Sequence, residues 1–292
     1  MYNVAKFLTE CIESVLYQQT RFRFHVTIVN DGSTDNSRQI LMQYEKNDRV
    51  TIIDQENKGF SGARNTGLFN SRGRYVMFVD SDDRLPQGAI EILMSKAFNG
   101  NYDIVGGGHV RFNAKGILDR QIPKEGKLTG FAWGKVYKKE VWNGIQFPEK
   151  YWFEDTINAF IINNRSLNIS TVNKVVYEWR RNTNSISFTS KGETKILDTV
   201  YITLRLIKDC EQLGEPTDNN FRLTLIHQLK VNAIRIQSLG NLHADWANYV
   251  ISKTLYDKYC NNNIQCENLH NEISSALSNN DFNQFILASV LL

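Results

Sequence analysis

Tyr75-Val76-Met77-Phe78-Val79-Asp80-Ser81-Asp82-Asp83 is the stretch on which the fold class turns. A continuous apolar run of this length, without polar alternation, predicts a strand buried on both faces. It stops at three carboxylates within four residues. Downstream, Pro86 opens a predicted helix running to about Phe98, in the first-turn position that proline tolerates. Ile104-Val105 then leads another strand.

Upstream the alternation repeats. Residues 4–18 place Phe7, Leu8, Cys11, Ile12, Val15 and Leu16 at helical spacing. Phe22 to Val29 reads as a strand ending at Asn30-Asp31-Gly32-Ser33, and Ser33 is an N-cap candidate for a helix through Ile40, Leu41 and Tyr44. Val50 to Ile53 is a short strand; Gly59 to Gly62 is a turn leading into a helix from Ala63 to Asn70. Strands alternating with helices predict an α/β fold with a mainly parallel, helix-covered sheet. In such sheets ligands gather at the carboxyl ends of strands, where both Asp31 and the Asp80–Asp83 cluster fall. A right-handed crossover needs a strand before the first helix, yet that helix begins almost at Met1. Either the chain begins about ten residues earlier, with an apolar strand there, or the start is misassigned. Residues 106–190 are less regular, rich in aromatics and glycine, with a strand-like stretch at Val175 to Trp179. From about Thr194 the pattern turns helical, with stripes at Ile196, Val200, Leu204, Ile207 and at Leu225, Leu229, Ala233, Ile236. The expected organisation is a catalytic α/β domain over 1–190 and a helical appendage over 191–292, a candidate for self-association or for docking on an acceptor or membrane.

Bulk composition narrows the classes. With 34 basic and 31 acidic residues the net charge is +3, which argues for neither nucleic acid nor a membrane surface. Cys11, Cys210, Cys260 and Cys266 are scattered and form no C-x-x-C pair, so neither a zinc ribbon nor a disulfide framework is suggested. A reduced, cytosolic setting, free or on the inner face of the membrane, is expected. No apolar run approaches the roughly 18–20 residues needed to span a bilayer.

Six patches carry chemistry. Asp80, Asp82 and Asp83 repel one another unless screened, and Mg²⁺ or Mn²⁺ binds through one or two carboxylates plus phosphate oxygens; the alternative is a solvated turn capping the next helix. Asp31 could meet a base or ribose, while its turn amides favour phosphate; the alternative is an Asx-turn cap. In Asn57-Lys58-Gly59-Phe60-Ser61-Gly62-Ala63-Arg64-Asn65 the glycines allow close backbone approach and Arg64 offers a fork to a diphosphate; a surface turn is the alternative. Glu154-Asp155 among Tyr151, Trp152 and Phe153 suits a general base, since apolar surroundings raise a carboxylate's pKa; a helix N-terminus favours the same acids. Trp179-Arg180-Arg181 through Ser185-Ile186-Ser187 offers cations and hydroxyls for phosphate oxygens, with a solvated basic turn as the alternative, and Trp133-Gly134-Lys135 could stack a sugar or sit in the core.

Taken in order, Tyr2-Asn3, NDGSTD, GFSGARN, VDSDD, W-G-K, FED and W-R-R-x-x-x-S resemble glycosyltransferase family 2, across roughly residues 1–190. The resemblance implies a GT-A fold and an inverting transferase acting on a nucleotide diphosphate sugar, with a glycan, teichoic acid or lipid-linked acceptor and a Mn²⁺ or Mg²⁺ ion. It implies that Tyr2, Asp31, Gly59 and Arg64 line the nucleotide site. Asp80 would sit near ribose and metal, with Asp82 the principal metal ligand. Asp155 would be the catalytic base, helped by Glu154 in holding the acceptor; Trp133 would line the acceptor site. Arg180 or Arg181 would lie on a segment closing over the diphosphate. Two departures stand out: Asn30-Asp31 replaces the family's frequent Asp-Asp, and the usual apolar strand and proline do not precede Tyr2-Asn3. A nucleotidyltransferase also uses a metal at acidic strand ends, but the glycine-rich loop it needs near the chain start is not found.

Overall fold

The computed structural model describes residues 1–163, 165, 167–182, 192–260 and 271–290. They fall into two units, Met1–Lys150 with Ser166–Asn182, and Tyr151–Arg165 with Thr183–Leu292. The expected boundary at 190/191 lies outside the described residues.

The first unit begins with helix α1 (Ala5–Leu16), whose stripe Leu8, Cys11, Ile12 and Leu16 is buried. It packs in a cluster with Ile28 and Leu41. Strand β1 (Val26–Asp31), helix α2 (Ser37–Leu41) and strand β2 (Val50–Gln55) form a parallel crossover. Its register sets Val26 beside Val50 and Asp31 beside Gln55, so both chains deliver their polar ends to one place. Helix α3 (Gly59–Asn70) follows. It starts at Gly59 itself, where a turn to Gly62 was expected; Gly59 supplies a φ of +74°, which a side chain disfavours. Regular pairing of the apolar run is confined to β3 (Tyr75–Val76), with Phe78 bridging in parallel to Trp133. Helix α4 (Ala89–Asn99) begins three residues after Pro86. Gly88, at φ +81°, redirects the chain there, and the Pro86 carbonyl accepts from the Ala89 N–H at 3.2 Å.

The irregular-looking region holds the central strand of a second sheet. β4 (Ile104–Asn113), β5 (Gly116–Gln121), β6 (Lys135–Lys138) and β7 (Ile169–Arg180) join β3 there. β7 runs parallel to β4, whereas β6 and β5 pair antiparallel with successive halves of it. The parallel pairs are thus β1·β2 and β4·β7, and the antiparallel ones all involve β5 or β6, for which no strand was predicted. A hairpin turn as short as that between Asn113 and Gly116 can only reverse the chain. The core under α4 gathers Leu93, Ala97, Val105, Val136, Val176 and Tyr177.

The second unit is helical. A turn at Glu154-Asp155 runs into a π-helical turn, Asn158–Ile162. Helices α5 (Asp198–Leu213), α6 (Asn219–Gln237), α7 (Leu242–Tyr259), α8 (Asn271–Ser278) and α9 (Phe282–Val290) follow. Asp218 N-caps α6 through the Phe221 N–H, and Asn241 caps α7 through two amides. Among the described residues no helix is long and apolar enough to cross a membrane. Cys11, Cys210 and Cys260 are buried thiols, and Cys266 lies outside the described residues.

Candidate functional site

In the first unit three of the motifs come together at strand ends. Asp31, 1% exposed, accepts through Oδ1 from Gln55 Nε2 (2.6 Å) and from the Lys58 N–H (2.9 Å). The parallel register makes Gln55 its neighbour, and Thr66 on α3 donates in turn to Gln55 Oε1 at 2.7 Å. Arg64, five residues beyond Gly59 on the same helix, donates to Asp80 Oδ1 at 2.7 Å and lies over the Phe147 ring. Helix α3 therefore ties the Asp31 turn to the acidic cluster. Gly62 permits this, since a Cβ there would meet Lys58 Cβ at 2.3 Å. Tyr2 is half exposed beside the same turn, where Asn3 Oδ1 accepts from the Thr34 N–H (2.8 Å).

The three acids occupy different environments. Asp80 keeps a partly exposed side chain, while its backbone N–H donates to the Tyr177 hydroxyl at 3.0 Å. Burial pushes the Asp82 carboxyl above the usual range; Asn182 Nδ2 donates to its Oδ2 at 3.1 Å. Asp83, 1% exposed, accepts from the Tyr177 hydroxyl (2.7 Å) and from the Arg180 N–H (2.7 Å). Burial, reinforced by Asp80 and Asp82, raises its carboxyl well above the ordinary value, and burial also keeps Tyr177 a neutral donor. Asp83 is thus the internal brace of the loop.

Trp133, 4% exposed, has one ring face against Phe131 (4.4 Å, 6°) and the other against Tyr177 (4.3 Å, 10°). Its contact with the loop runs through Tyr177. Arg180 is the last residue of β7: Nε donates to the Asp82 carbonyl at 2.7 Å, its head pairs with Glu10, and Phe7 and Phe112 flank it at 4.7 and 4.5 Å. Arg181 is exposed and its N–H donates to the Phe112 carbonyl. Ser185 to Ser187 lie outside the described residues. Tyr177, Gln55, Asn182 and Glu10 were not singled out from sequence. Only Gln55 carried a signal, the matched ends of two parallel strands.

Glu154 and Asp155 belong to the second unit. Glu154 is buried, 8% exposed. The turn is set by the Thr156 N–H to Phe153 O (3.0 Å), Ile157 N–H to Glu154 O (3.1 Å) and Asn158 N–H to Asp155 O (2.9 Å). Phe153 sits at φ +66°, a left-handed conformation that costs a bulky side chain on the order of 1–2 kcal/mol.

A family model described as glycosyl transferase family 2 matches residues 1–147, the segment holding Asp31, Arg64 and Asp80–Asp83. The chain belongs to that family. Among relatives, glycosyltransferase GlyG of Streptococcus pneumoniae serotype 4 is 30% identical over 243 residues, 73% of this chain and 79% of its own length. Glycosyltransferase GlyA of the same organism is 30% identical over 248 residues, 75% of this chain, but the chain spans only 35% of that relative's length. Among solved structures, S. aureus TarS 1–349 in complex with UDP-GlcNAc superposes with a TM-score of 0.56 at 18% identity, over 99% of this chain and 88% of that one. That likeness is one of fold, and the α/β, GT-A-type architecture with C-terminal helices is the expected one.

Proposed function

We propose that this family 2 member moves a sugar from a nucleotide diphosphate sugar, a UDP-sugar, to a hydroxyl of a glycan, teichoic acid or lipid-linked acceptor in surface-polysaccharide synthesis. The observation that carries the reading is the link Asp31–Gln55–Thr66 and Arg64–Asp80, which holds two strand-end carboxylates around one helix start. Such a cradle suits a nucleotide: Asp31 and Tyr2 toward base and ribose, Gly59 and Arg64 toward the diphosphate.

A divalent cation fits the same place. Among the described residues no three His, Cys, Asp or Glu side chains form a site able to hold a metal by themselves. Asp80 and Asp82 instead offer the one or two carboxylates that Mg²⁺ or Mn²⁺ combines with phosphate oxygens. When bound there with the donor, the ion offsets negative charge on the leaving diphosphate. Asp155 takes the proton of the acceptor hydroxyl, whose oxygen bonds to the sugar C1 as the bond from C1 to the diphosphate breaks. The nucleotide diphosphate leaves with that electron pair, and one displacement inverts the anomeric centre. Glu154 helps hold the acceptor. Trp133 acts from behind Tyr177, and Arg180 or Arg181 is the cation that serves the diphosphate.

The test is release of UDP from a panel of UDP-sugars with Mn²⁺. A general base is worth about 10²–10⁴-fold, so Asp155→Asn is expected to lose that factor while still binding donor. Wild-type turnover in that variant sinks the assignment. Asp82→Ala is expected to abolish the Mn²⁺-dependent part of donor binding, measured by calorimetric titration; unchanged affinity contradicts the metal reading. Release of pyrophosphate in place of UDP would favour a nucleotidyltransferase.

A further inference from the structure

The turn bearing Glu154 and Asp155 is built on a residue in an unfavourable conformation. Phe153 has φ +66°, and nothing in its own chemistry favours the left-handed region as glycine or asparagine would. Backbone of this kind persists only where the surroundings over-determine it. Among the described residues, its surroundings include side chains on helices of the same unit. Arg235, in the last turn of α6, lays its guanidinium 3.7 Å from the Phe153 ring centroid. Its Nη1 donates to Thr199 Oγ1, on the first turn of α5, at 2.8 Å. One residue earlier, the Trp152 N–H donates to Asp198 Oδ2 at 2.8 Å, and Asp198 is paired with Lys195. Phe153 packs besides against the cluster of Ile196, Val200 and Ile236.

Arg235 is unusual in its own right. Among the described residues no carboxylate pairs with it, and burial pulls its guanidinium down to about 10. An aromatic face is a favourable substitute for water around a desolvated guanidinium, which is weakly hydrated and planar. The ring and the cation therefore hold each other in place.

We propose that Arg235 is a positioning residue for the Glu154-Asp155 turn: stacked on Phe153 and anchored by Thr199, it fixes the backbone from which the acids project. Asp198 is the second clamp, acting on Trp152. The helical unit then has a defined part in the chemistry, as the platform of the base. The proposal rests on the reading of Asp155 as that base.

The experiment pairs hydrogen–deuterium exchange with turnover in the full chain. Arg235→Met keeps the aliphatic bulk and removes the planar cation; Arg235→Lys keeps charge but not the stacked fork. In both, amides of 153–158 are expected to exchange at least about tenfold faster, while α5 and α6 keep wild-type protection, as expected for local rather than global opening. UDP release from the donor selected in the panel is expected to fall in kcat by roughly 10–100-fold with donor KM within about twofold, the split that marks a reacting group displaced and not a donor site damaged. Wild-type exchange at 153–158 overturns the proposal, whatever happens to turnover. So does unchanged kcat in Arg235→Met when Asp155→Asn is inactive. If Asp155→Asn itself turns over normally, the failure lies in the assignment of the base, and the exchange data still decide whether Arg235 holds the turn. Protection lost throughout α5 and α6 assigns Arg235 to general stability and also overturns it.

Discussion

At the scale of single residues, the site is held by side chains that chemistry alone would not nominate. Tyr177 is the clearest case. Its hydroxyl links the Asp80 N–H to Asp83 Oδ2, and a tyrosine in an apolar strand gives no hint of that. Asp83 was visible as an acid, but its burial was not. His109 shows how burial writes a pH dependence into the same sheet. It is 3% exposed, edge-on to Trp133 at 5.0 Å. Burial holds its imidazole below the ordinary 6.5, with Asp119 opposing and Arg111 and Lys135 assisting. The unfolded chain thus takes up a proton that the native state resists, so stability falls as pH drops through about 6.5. Urea midpoints should decrease between pH 7.5 and 5.5, and His109→Phe should flatten part of that slope, the rest belonging to groups such as His227, also lowered by burial. An unaltered slope in His109→Phe removes His109 as a source.

At the scale of elements, the parallel crossover β1–α2–β2 and the helices α1 and α3 were legible because periodicity and turn residues agreed there. Strand β4 was not. Gly106, Gly107 and Gly108 weaken any strand signal, yet the strand is central because its neighbours come too close for side chains. A Cβ at Gly107 would meet Val176 Cγ2 at 2.5 Å, and one at Gly108 would meet the Gln121 carbonyl oxygen at 2.6 Å. The β4·β7 register shifts across this segment, between Gly106 and Gly108 and again before His109. Gly108→Ala should therefore destabilise by about 1–3 kcal/mol, the usual cost of overpacking, read as a lower urea midpoint at unchanged slope. A neutral result would mean that β5 can move aside freely.

At the scale of the whole molecule, two compact units share one chain, and the segment Tyr151–Arg165 groups with the helices although in sequence it lies between β6 and β7 of the second sheet. Chains with more than one core commonly depart from two-state unfolding. Calorimetry should give a calorimetric enthalpy larger than the van't Hoff value; equality of the two would show one cooperative block. The sequence by itself determined the α/β class, the strand-end positions of Asp31 and Asp80–Asp83, the helical C-terminal pattern and the family resemblance, because hydrophobic period, turn chemistry and motif order are local properties of the chain. Only the tertiary structure decided that Gln55 faces Asp31, that Asp83 and Arg180 brace the acidic loop from within, and that Arg235 lies under Phe153. Those pairings join residues up to about a hundred positions apart, as Asp83 and Arg180 are, and such contacts are set by strand register and helix packing, which no local pattern encodes.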